Sequence, residues 1–415
     1  MPIGAVARTR RTGAESSHQD AAEARIAERR DSGRKRKINV LQLTTGLGYG
    51  GAEVVVRDLV RTVDREHFNM SVCCLTVLGP IGKELASEGI DISVLPNPHP
   101  EKVDHLAAIK LRRLIREKRI DLVHSHTTHS LSEAALCRCI TPGVKVIHTF
   151  HFGNYPHKSG RALWMERVFS RFADRLIAVG RRQREQIKSA LHLGDAAIGA
   201  VLNGVQLPAS GDGDPGFRRR VGAEAGILVG TIATLIPQKG LHDLLAVARR
   251  VRDVRNDVRF VVVGGGDLLP ELERARREMG LDDTVIFFGW LKNAASLALP
   301  TFDIYFQPSK WEAMSISILE AMAAGKPVIS TLVGEAPHLI EHRVDGLLYE
   351  SGDIEGMASA ITLLSDEPEQ RHRVGRAAAA KVAERFTVGH MARAYEQVYR
   401  DVLQWDQGAG SDAAR

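Results

Sequence analysis

Two glutamates, one lysine and a glycine-rich turn carry the chemistry open to this chain. Glu312 and Glu320 are separated by seven residues in DIYFQPSKWEAMSISILEAMAAGKPVIST, which reads as strand, polar loop, helix and strand. Glu312 falls in the loop beside Trp311, where a carboxylate can accept hydrogen bonds from sugar hydroxyls, although an exposed loop acid is equally ordinary. Ser315 and Ser317 are both candidate N-caps, so the free amides of the helix start offer a phosphate site at the sheet's carboxyl edge. Glu320 also fits a plain structural role: Ser317-Ile318-Leu319-Glu320 matches a capping box, and on the residues alone the cap is favoured.

Lys239 stands at a helix start in TIATLIPQKGLHDLL. A cation beside the positive end of a helix is unfavourable unless an anion joins both, so an incoming diphosphate would explain it; an exposed lysine leaning outward is the alternative. Gly46, Gly48 and Gly51 have the GxGxxG spacing after an apolar run. A dinucleotide site needs an acid at the end of the second strand, and Thr76 and Val77 stand there, which argues against NAD. Gly50-Gly51-Ala52-Glu53 instead suits a loop bringing backbone amides to a diphosphate from across a cleft, against a tight turn with no ligand as the alternative. His124, His126, His129, His148, His151 and His157 cluster near strand ends, but their irregular spacing favours ordinary histidines over zinc ligands.

These residues need elements to position them. From Ile38, strand-length apolar runs alternate with amphipathic helical stretches, the pattern of a doubly wound parallel sheet. INVLQLTT, MSVCCLTV, DISVL, DLVHSH, KVIHTF, RLIAVG and IGAVLN are the strands of a first unit, 38–205. A Gly-, Pro- and Asp-rich linker follows over 206–225, and its Asp212-Gly213-Asp214 is better read as a turn than as a metal site. GILVGTIATL, VRFVVVGGG, TVIFFGW, DIYFQP and KPVIST then build a second sheet in 226–386. VGHMARAYEQVYRDVL, within 387–404, has apolar residues at helical spacing and needs a surface to cover. The fold class is α/β, two Rossmann-like domains with a cleft between their strand ends.

Composition sets the surroundings. A 415-residue chain with 44% hydrophobic residues supports two cores. Four cysteines, Cys73, Cys74, Cys137 and Cys139, form no disulfide framework, so buried inert thiols and a reducing cytoplasm are expected. No apolar run approaches the length of a membrane span. Much of the net charge of +6 sits in residues 1–37, which lack periodic large apolar residues and read as a disordered basic arm; 405–415 read as a disordered tail. Arg34-Lys35-Arg36-Lys37 suits a peripheral contact with an anionic membrane, although basic runs are usually solvated, and no nucleic-acid partner is expected.

The combination resembles the family-four, group 1 retaining glycosyltransferases, whose signature is E-x7-E and whose fold is GT-B. It covers nearly all of the chain after residue 37, including Gly50-Gly51-Ala52-Glu53, His148-Thr149-Phe150-His151, Asn203-Gly204-Val205, Pro237-Gln238-Lys239-Gly240, Val263-Gly264-Gly265-Gly266-Asp267 and Gly334-Glu335-Ala336-Pro337. The resemblance implies a nucleotide-diphosphate sugar as donor, UDP-linked by expectation, and a saccharide, lipid-linked or small-molecule acceptor. By that resemblance Glu320 holds the ribose, and Glu312 with amides around Ser315 and Ile316 holds sugar and diphosphate. Lys239 neutralises the leaving group, Gly51 gives an amide from the opposite domain, His151 touches the transferred sugar, and Leu291 lines the base pocket. The last helix crosses back onto the first domain. No metal or other cofactor is expected.

Two positions depart from the family pattern. Thr234 stands five residues before the lysine where arginine is common, which removes a bidentate phosphate partner. Met314-Ser315 replaces a common Phe-Gly, narrowing the approach to the helix amides while adding a hydroxyl. The rival readings are a nucleotide-sugar epimerase of the same architecture, which needs no acceptor, and a non-catalytic sugar-nucleotide-binding protein.

Overall fold

The computed structural model describes residues 36–95, 104, 106–153, 155, 160–209 and 213–404. Most of the basic arm, the C-terminal tail, His157 and Asp212 lie outside the described residues. Within them, Arg36 pairs with Asp121 and Lys37 donates to the Arg65 carbonyl, so the last two positions assigned to the arm are tied to the first domain.

The first sheet contains β1 (Ile38–Gly46), β2 (Phe68–Val77), β3 (Asp91–Val94), β4 (Leu122–Ser125), β5 (Lys145–Phe150), β6 (Arg175–Ala178) and β7 (Ile198–Ala200). Their order is β3-β2-β1-β4-β5-β6-β7, and every pair is parallel. The second holds β8 (Ile227–Ile232), β9 (Val258–Val263), β10 (Val285–Gly289), β11 (Ile304–Gln307), β12 (Val328–Thr331) and β13 (Leu347–Tyr349), ordered β10-β9-β8-β11-β12-β13, again all parallel. The α/β expectation holds for both. The short β13 has no counterpart among the strands read from sequence, since three residues give periodicity little to work with.

Strands β4, β11 and β12 are buried at every position, as parallel strands covered on both faces must be. Strand order reverses between β1 and β4 and again between β8 and β11, which are the places where open α/β sheets leave a crevice beyond their carboxyl ends. The glycine turn follows β1, the lysine loop follows β8 and the Glu312 loop follows β11. Five helices matter for the site: α1 (Gly51–Thr62), α2 (Arg181–Leu191), α3 (Leu241–Val254), α4 (Ile316–Ala323) and α5 (Val388–Leu403).

The second domain starts earlier than the composition suggests. Phe217, Val221 and Ala223, assigned to the linker, are buried in one cluster with Leu228 and Phe302. Gly and Pro density marks a chain break well but cannot show that a phenylalanine inside it is core. Asp214 accepts from Arg220 at 2.6 Å and from the Gly216 amide at 2.8 Å, the contacts of a turn.

The chain crosses between domains twice, and the crossings lie against each other. Val205 N donates to the Phe386 carbonyl at 2.9 Å and Val388 N to the Val205 carbonyl at 3.1 Å. A Cβ on Gly204 would fall 2.2 Å from the Thr387 carbonyl, so only glycine fits there. Thr387 caps α5 through the His390 amide. The helix then lays Tyr395 and Tyr399, both fully buried, against Ile38, Val40, Phe68 and Leu122 of the first domain. Each such ring contributes roughly 1.5–3 kcal/mol. Among the described residues no helix is long and apolar enough to cross a membrane.

Candidate active site

Glu312 is the most heavily engaged acid of the cleft. Its Oε1 accepts from Lys239 Nζ at 2.6 Å, Ser309 Oγ at 2.8 Å and Gln307 Nε2 at 3.2 Å, and its Oε2 accepts from Gln238 Nε2 at 3.2 Å. The lysine loop reaches it because Gly240, at φ 62°, lets the backbone come so close to the Pro308 carbonyl that a Cβ would sit 1.9 Å away. Lys310 N also donates to the Gln238 carbonyl at 2.7 Å, fastening the two loops together.

Ser315 caps α4 and its Oγ accepts from Ile318 N at 3.4 Å, which settles the choice between the two serines. Ser317 Oγ instead donates to Gln307 Oε1 at 2.9 Å. The capping-box reading of Glu320 therefore fails: with Ser315 as the cap, Glu320 lies more than a turn into the helix. It is partly buried and its carboxyl is pushed up to about 7, first by burial, with Arg57 of α1 pulling it down and Asp58 pushing it up. Met314, the other departure from the family pattern, turns away from the helix amides, its sulfur 3.2 Å from Asn203 N and its carbonyl accepting from Asn203 Nδ2 at 3.2 Å.

The first domain meets this loop at two glycines. Gly51 and Ile316 are the first helical residues of α1 and α4, and a Cβ on Gly51 would lie 3.6 Å from Ile316 Cδ1. Two helix N-termini from two domains thus converge, and Gly50, the α1 N-cap, provides no side-chain cap. The Glu53 carboxylate folds back over Gly50, where burial raises its pKa. Gly153, two residues past His151, packs so tightly on Glu312 that a Cβ would fall 2.0 Å from the Glu312 carbonyl carbon. Paired positive helix ends with a lysine between the domains are suited to a doubly charged anion.

His151 is partly buried, and burial drives its pKa down to about 3, so it is neutral near pH 7. Its Nε2 is 2.9 Å from His126 Nδ1. Thr234 is exposed, and its carbonyl accepts from Ile236 N at 2.9 Å. Leu291 packs partly buried on the second-domain core, next to Trp290, whose ring lies 4.5 Å from that of Tyr49 across the cleft. Lys239, Glu312, Ser315, Ile316, Gly50 and Gly51 are therefore brought together, Glu320 faces α1, and Thr234 and Leu291 lie along the same edge. Among the described residues no group of three or more His, Cys, Asp or Glu is disposed to hold a metal. Cys73 and Cys74 are buried, with their thiols pushed up to about 12, and Cys137 is buried too, but Cys139 is exposed.

Several contacts escaped the sequence. Gln307, Ser309 and Gln238 all hold Glu312; Gln307 left a trace as a polar residue ending a buried apolar strand, and Gln238 only as a member of the Pro237–Gly240 motif. Glu335 is fully buried in the second domain, and its Oε2 accepts from Arg182 N at 3.1 Å at the start of α2 in the first. Gly153 had only its place beside His151 to mark it.

Two parallel doubly wound sheets facing across a cleft, with paired crossings and a returning helix, define a GT-B protein. Residues 217–381 match the glycosyl transferases group 1 family and residues 49–207 match glycosyltransferase family 4. The chain belongs to the group 1 glycosyltransferases and is an enzyme that transfers a sugar from a nucleotide sugar. It is 27% identical over 278 residues, 64% of this chain and 71% of the relative, to the UDP-Gal:alpha-D-GlcNAc-diphosphoundecaprenol alpha-1,3-galactosyltransferase of Escherichia coli. To the alpha-maltose-1-phosphate synthase of Mycolicibacterium smegmatis it is 26% identical over 396 residues, covering 85% and 96% of the two chains. The structure of HepE from Anabaena in complex with UDP and glucose superimposes with a TM-score of 0.78 over 88% of this chain and 100% of its own, at 22% identity.

Proposed function

We propose that this enzyme transfers a hexose-type sugar with retention from a UDP-linked donor to a hydroxyl of a saccharide, lipid-linked or small-molecule acceptor, in the synthesis of a cell-surface polysaccharide or glycolipid. The observation that carries the reading is the pairing of Glu312 and Lys239 beside the converging starts of α1 and α4. In the reaction the acceptor oxygen bonds to the anomeric carbon, the bond from that carbon to the diphosphate breaks, and the acceptor proton passes to the leaving diphosphate on the same face. Charge growing on the diphosphate meets Lys239 and the amides near Ser315 and Ile316, fixed donors that need no reorganisation. These groups supply the positive charge, so no metal or other cofactor is part of the proposal.

Glu312 receives sugar hydroxyls, Glu320 the ribose, His151 the transferred sugar from the first domain, and Leu291 the base. Two of the named relatives support the donor: the galactosyltransferase is named for UDP-Gal, and HepE is seen with UDP and glucose. The cytoplasmic setting, with the basic arm touching an anionic membrane face, belongs to the same proposal. The test is a panel of UDP-, GDP- and ADP-sugars with the full chain, following donor hydrolysis and the anomeric configuration of the product by NMR. UDP-sugar turnover with retention is expected, lost in Glu312→Ala. An inverted product, a donor interconverted without an acceptor, or binding of none of the panel would each overturn the reading.

A further inference from the structure

A chain of buried polar side chains links His151 to the returning helix. His151 Nε2 is 2.9 Å from His126 Nδ1, and His126 Nε2 is 2.6 Å from Gln42 Oε1. Gln42 Nε2 donates to the Tyr399 hydroxyl at 3.1 Å, which lies 2.9 Å from His124 Nδ1. His124 Nε2 is 2.7 Å from Thr149 Oγ1, itself 3.2 Å from the Tyr395 hydroxyl. Gln42, His124, His126, Thr149, Tyr395 and Tyr399 are all at most 1% exposed. They join β1, β4, β5 and α5, so the returning helix is wired to the edge of the cleft.

The directions of these bonds follow from the chemistry of each group. A glutamine carbonyl oxygen only accepts, so His126 must carry its proton on Nε2. Its Nδ1 is then a lone pair, and His151 must donate to it from Nε2. Beyond Gln42, the amide N–H occupies the Tyr399 oxygen, so the phenol proton goes to His124 Nδ1, and His124 donates from Nε2 to Thr149. Burial holds both inner histidines well below, and Tyr399 well above, their ordinary pKa values, so every member stays neutral and each ring has one proton to place. Had the Gln42 amide faced the other way, every bond from Tyr399 to His151 would reverse and the His151 proton would sit on Nδ1. In the structure the Gln42 amide N–H faces the Tyr399 oxygen, so this contact is where the direction of the whole chain meets the returning helix.

We propose that Tyr399 is a positioning residue for sugar transfer: through Gln42 and His126 it fixes His151 as the Nε2–H tautomer, leaving Nδ1 as a hydrogen-bond acceptor for a hydroxyl of the transferred sugar. The inference rests on the role proposed above for His151. It gives the returning helix a part in the chemistry besides packing, since loss of one hydroxyl on α5 frees the ring at the other end of the chain.

The test uses the full chain with 15N-labelled histidine. In the wild type, His151 should show a protonated Nε2 and an unprotonated Nδ1, a signature that needs no substrate. Tyr399→Phe, which keeps the ring and its packing, should give a mixture of the two tautomers. It should also lower kcat with a UDP-sugar roughly tenfold, the cost of one misdirected hydrogen bond, while leaving the Kd for UDP alone unchanged. Ile177→Val, in the same apolar cluster but outside the chain of polar groups, controls for stability. An unchanged His151 spectrum in Tyr399→Phe overturns the proposal, as does a fall in kcat matched by Ile177→Val at equal thermal stability. His151→Ala separates the two ideas: full activity in it sinks the role of His151, whereas its inactivity beside a fully active Tyr399→Phe sinks only the relay.

Discussion

Lys239 Nζ lies 2.6 Å from Glu312 Oε1, so the cation proposed to meet the leaving diphosphate is held by the acid proposed to receive the sugar. The side chains are 17% and 9% exposed, which keeps the pair largely out of solvent screening. Donor binding must divide the lysine between two anions, and the carboxylate keeps Ser309 and Gln307 when the lysine leaves it.

The first prediction is a coupled pair. Lys239→Ala should lower kcat about 10²-fold, the usual effect of losing one preorganised group facing a growing charge. In the protein without donor, a double-mutant cycle of Lys239→Ala and Glu312→Ala should show a coupling of about 1–3 kcal/mol in unfolding free energy. Additivity within about 0.5 kcal/mol would mean the contact does not hold the site.

A glycine sets how closely the two domains meet. Because a Cβ at Gly153 would fall 2.0 Å from the Glu312 carbonyl carbon, Gly153→Ala must push the two loops apart. We expect kcat/KM to drop at least about tenfold, with the radius of gyration in the presence of UDP larger than in the wild type. Gly194→Ala, outside the named motifs and with nothing within 4 Å of the added carbon, is the control and should match the wild type. Unaltered kcat/KM in Gly153→Ala would show that the closed contact is not needed for turnover.

Those glycines also mark where the sequence stops being readable. Strand-length apolar runs in both units and the helical spacing of α5 are one-dimensional signals, so both sheets, short of β13, and the helix itself could be placed from them. Its return to the first domain was implied only by the family resemblance. Glu312, Lys239 and Gly51 each had a chemical reading beside an ordinary alternative, and the motifs decided between the two, while on residue chemistry alone Glu320 reads as a cap. What was hidden is pairwise: Glu335 against Arg182, Gly153 against Glu312, and Gln42 between His126 and Tyr399. Each joins positions far apart in the chain, and no spacing rule within one element reports them. Phe217 was misplaced for a related reason, since its burial depends on Phe302 and Phe288, not on its glycine-rich neighbours.

The ribose role proposed for Glu320 predicts that nucleotide binding depends on pH. Its carboxyl titrates near 7 in the folded protein against an ordinary value of 4.5, so the folded state holds the extra proton between those limits. The stability this gives is complete below about 4.5 and is lost as pH rises through 7. In the proposed role, ribose hydroxyls donating to Glu320 favour its charged form, so binding would expel the proton. Affinity for UDP should therefore weaken as pH falls below 7, by up to about tenfold per unit. Isothermal titration at several pH values should show the trend reduced in Glu320→Gln, where only the phosphate titrates. Equal slopes in the two proteins would remove Glu320 from the nucleotide site.

The rings of Tyr49 and Trp290 meet across the cleft at 4.5 Å between centroids and 49° between planes, one from the glycine turn after β1 and one from the end of β10. Both are about half exposed, so their contact adds little to the folding of either domain and acts on the distance between them. Such a pair contributes about 0.5–1.5 kcal/mol beyond its buried area. Removing it shifts the population toward open domains, and apparent donor affinity falls in proportion to the closed fraction. Tyr49→Ala should raise the Kd for UDP-sugar roughly 2- to 12-fold, with kcat at saturating donor kept within about twofold, because the Glu312 and Lys239 loops are untouched. Tyr49→Phe should behave as wild type. A fall in kcat with unchanged Kd would place Tyr49 in the chemical step and not in closure.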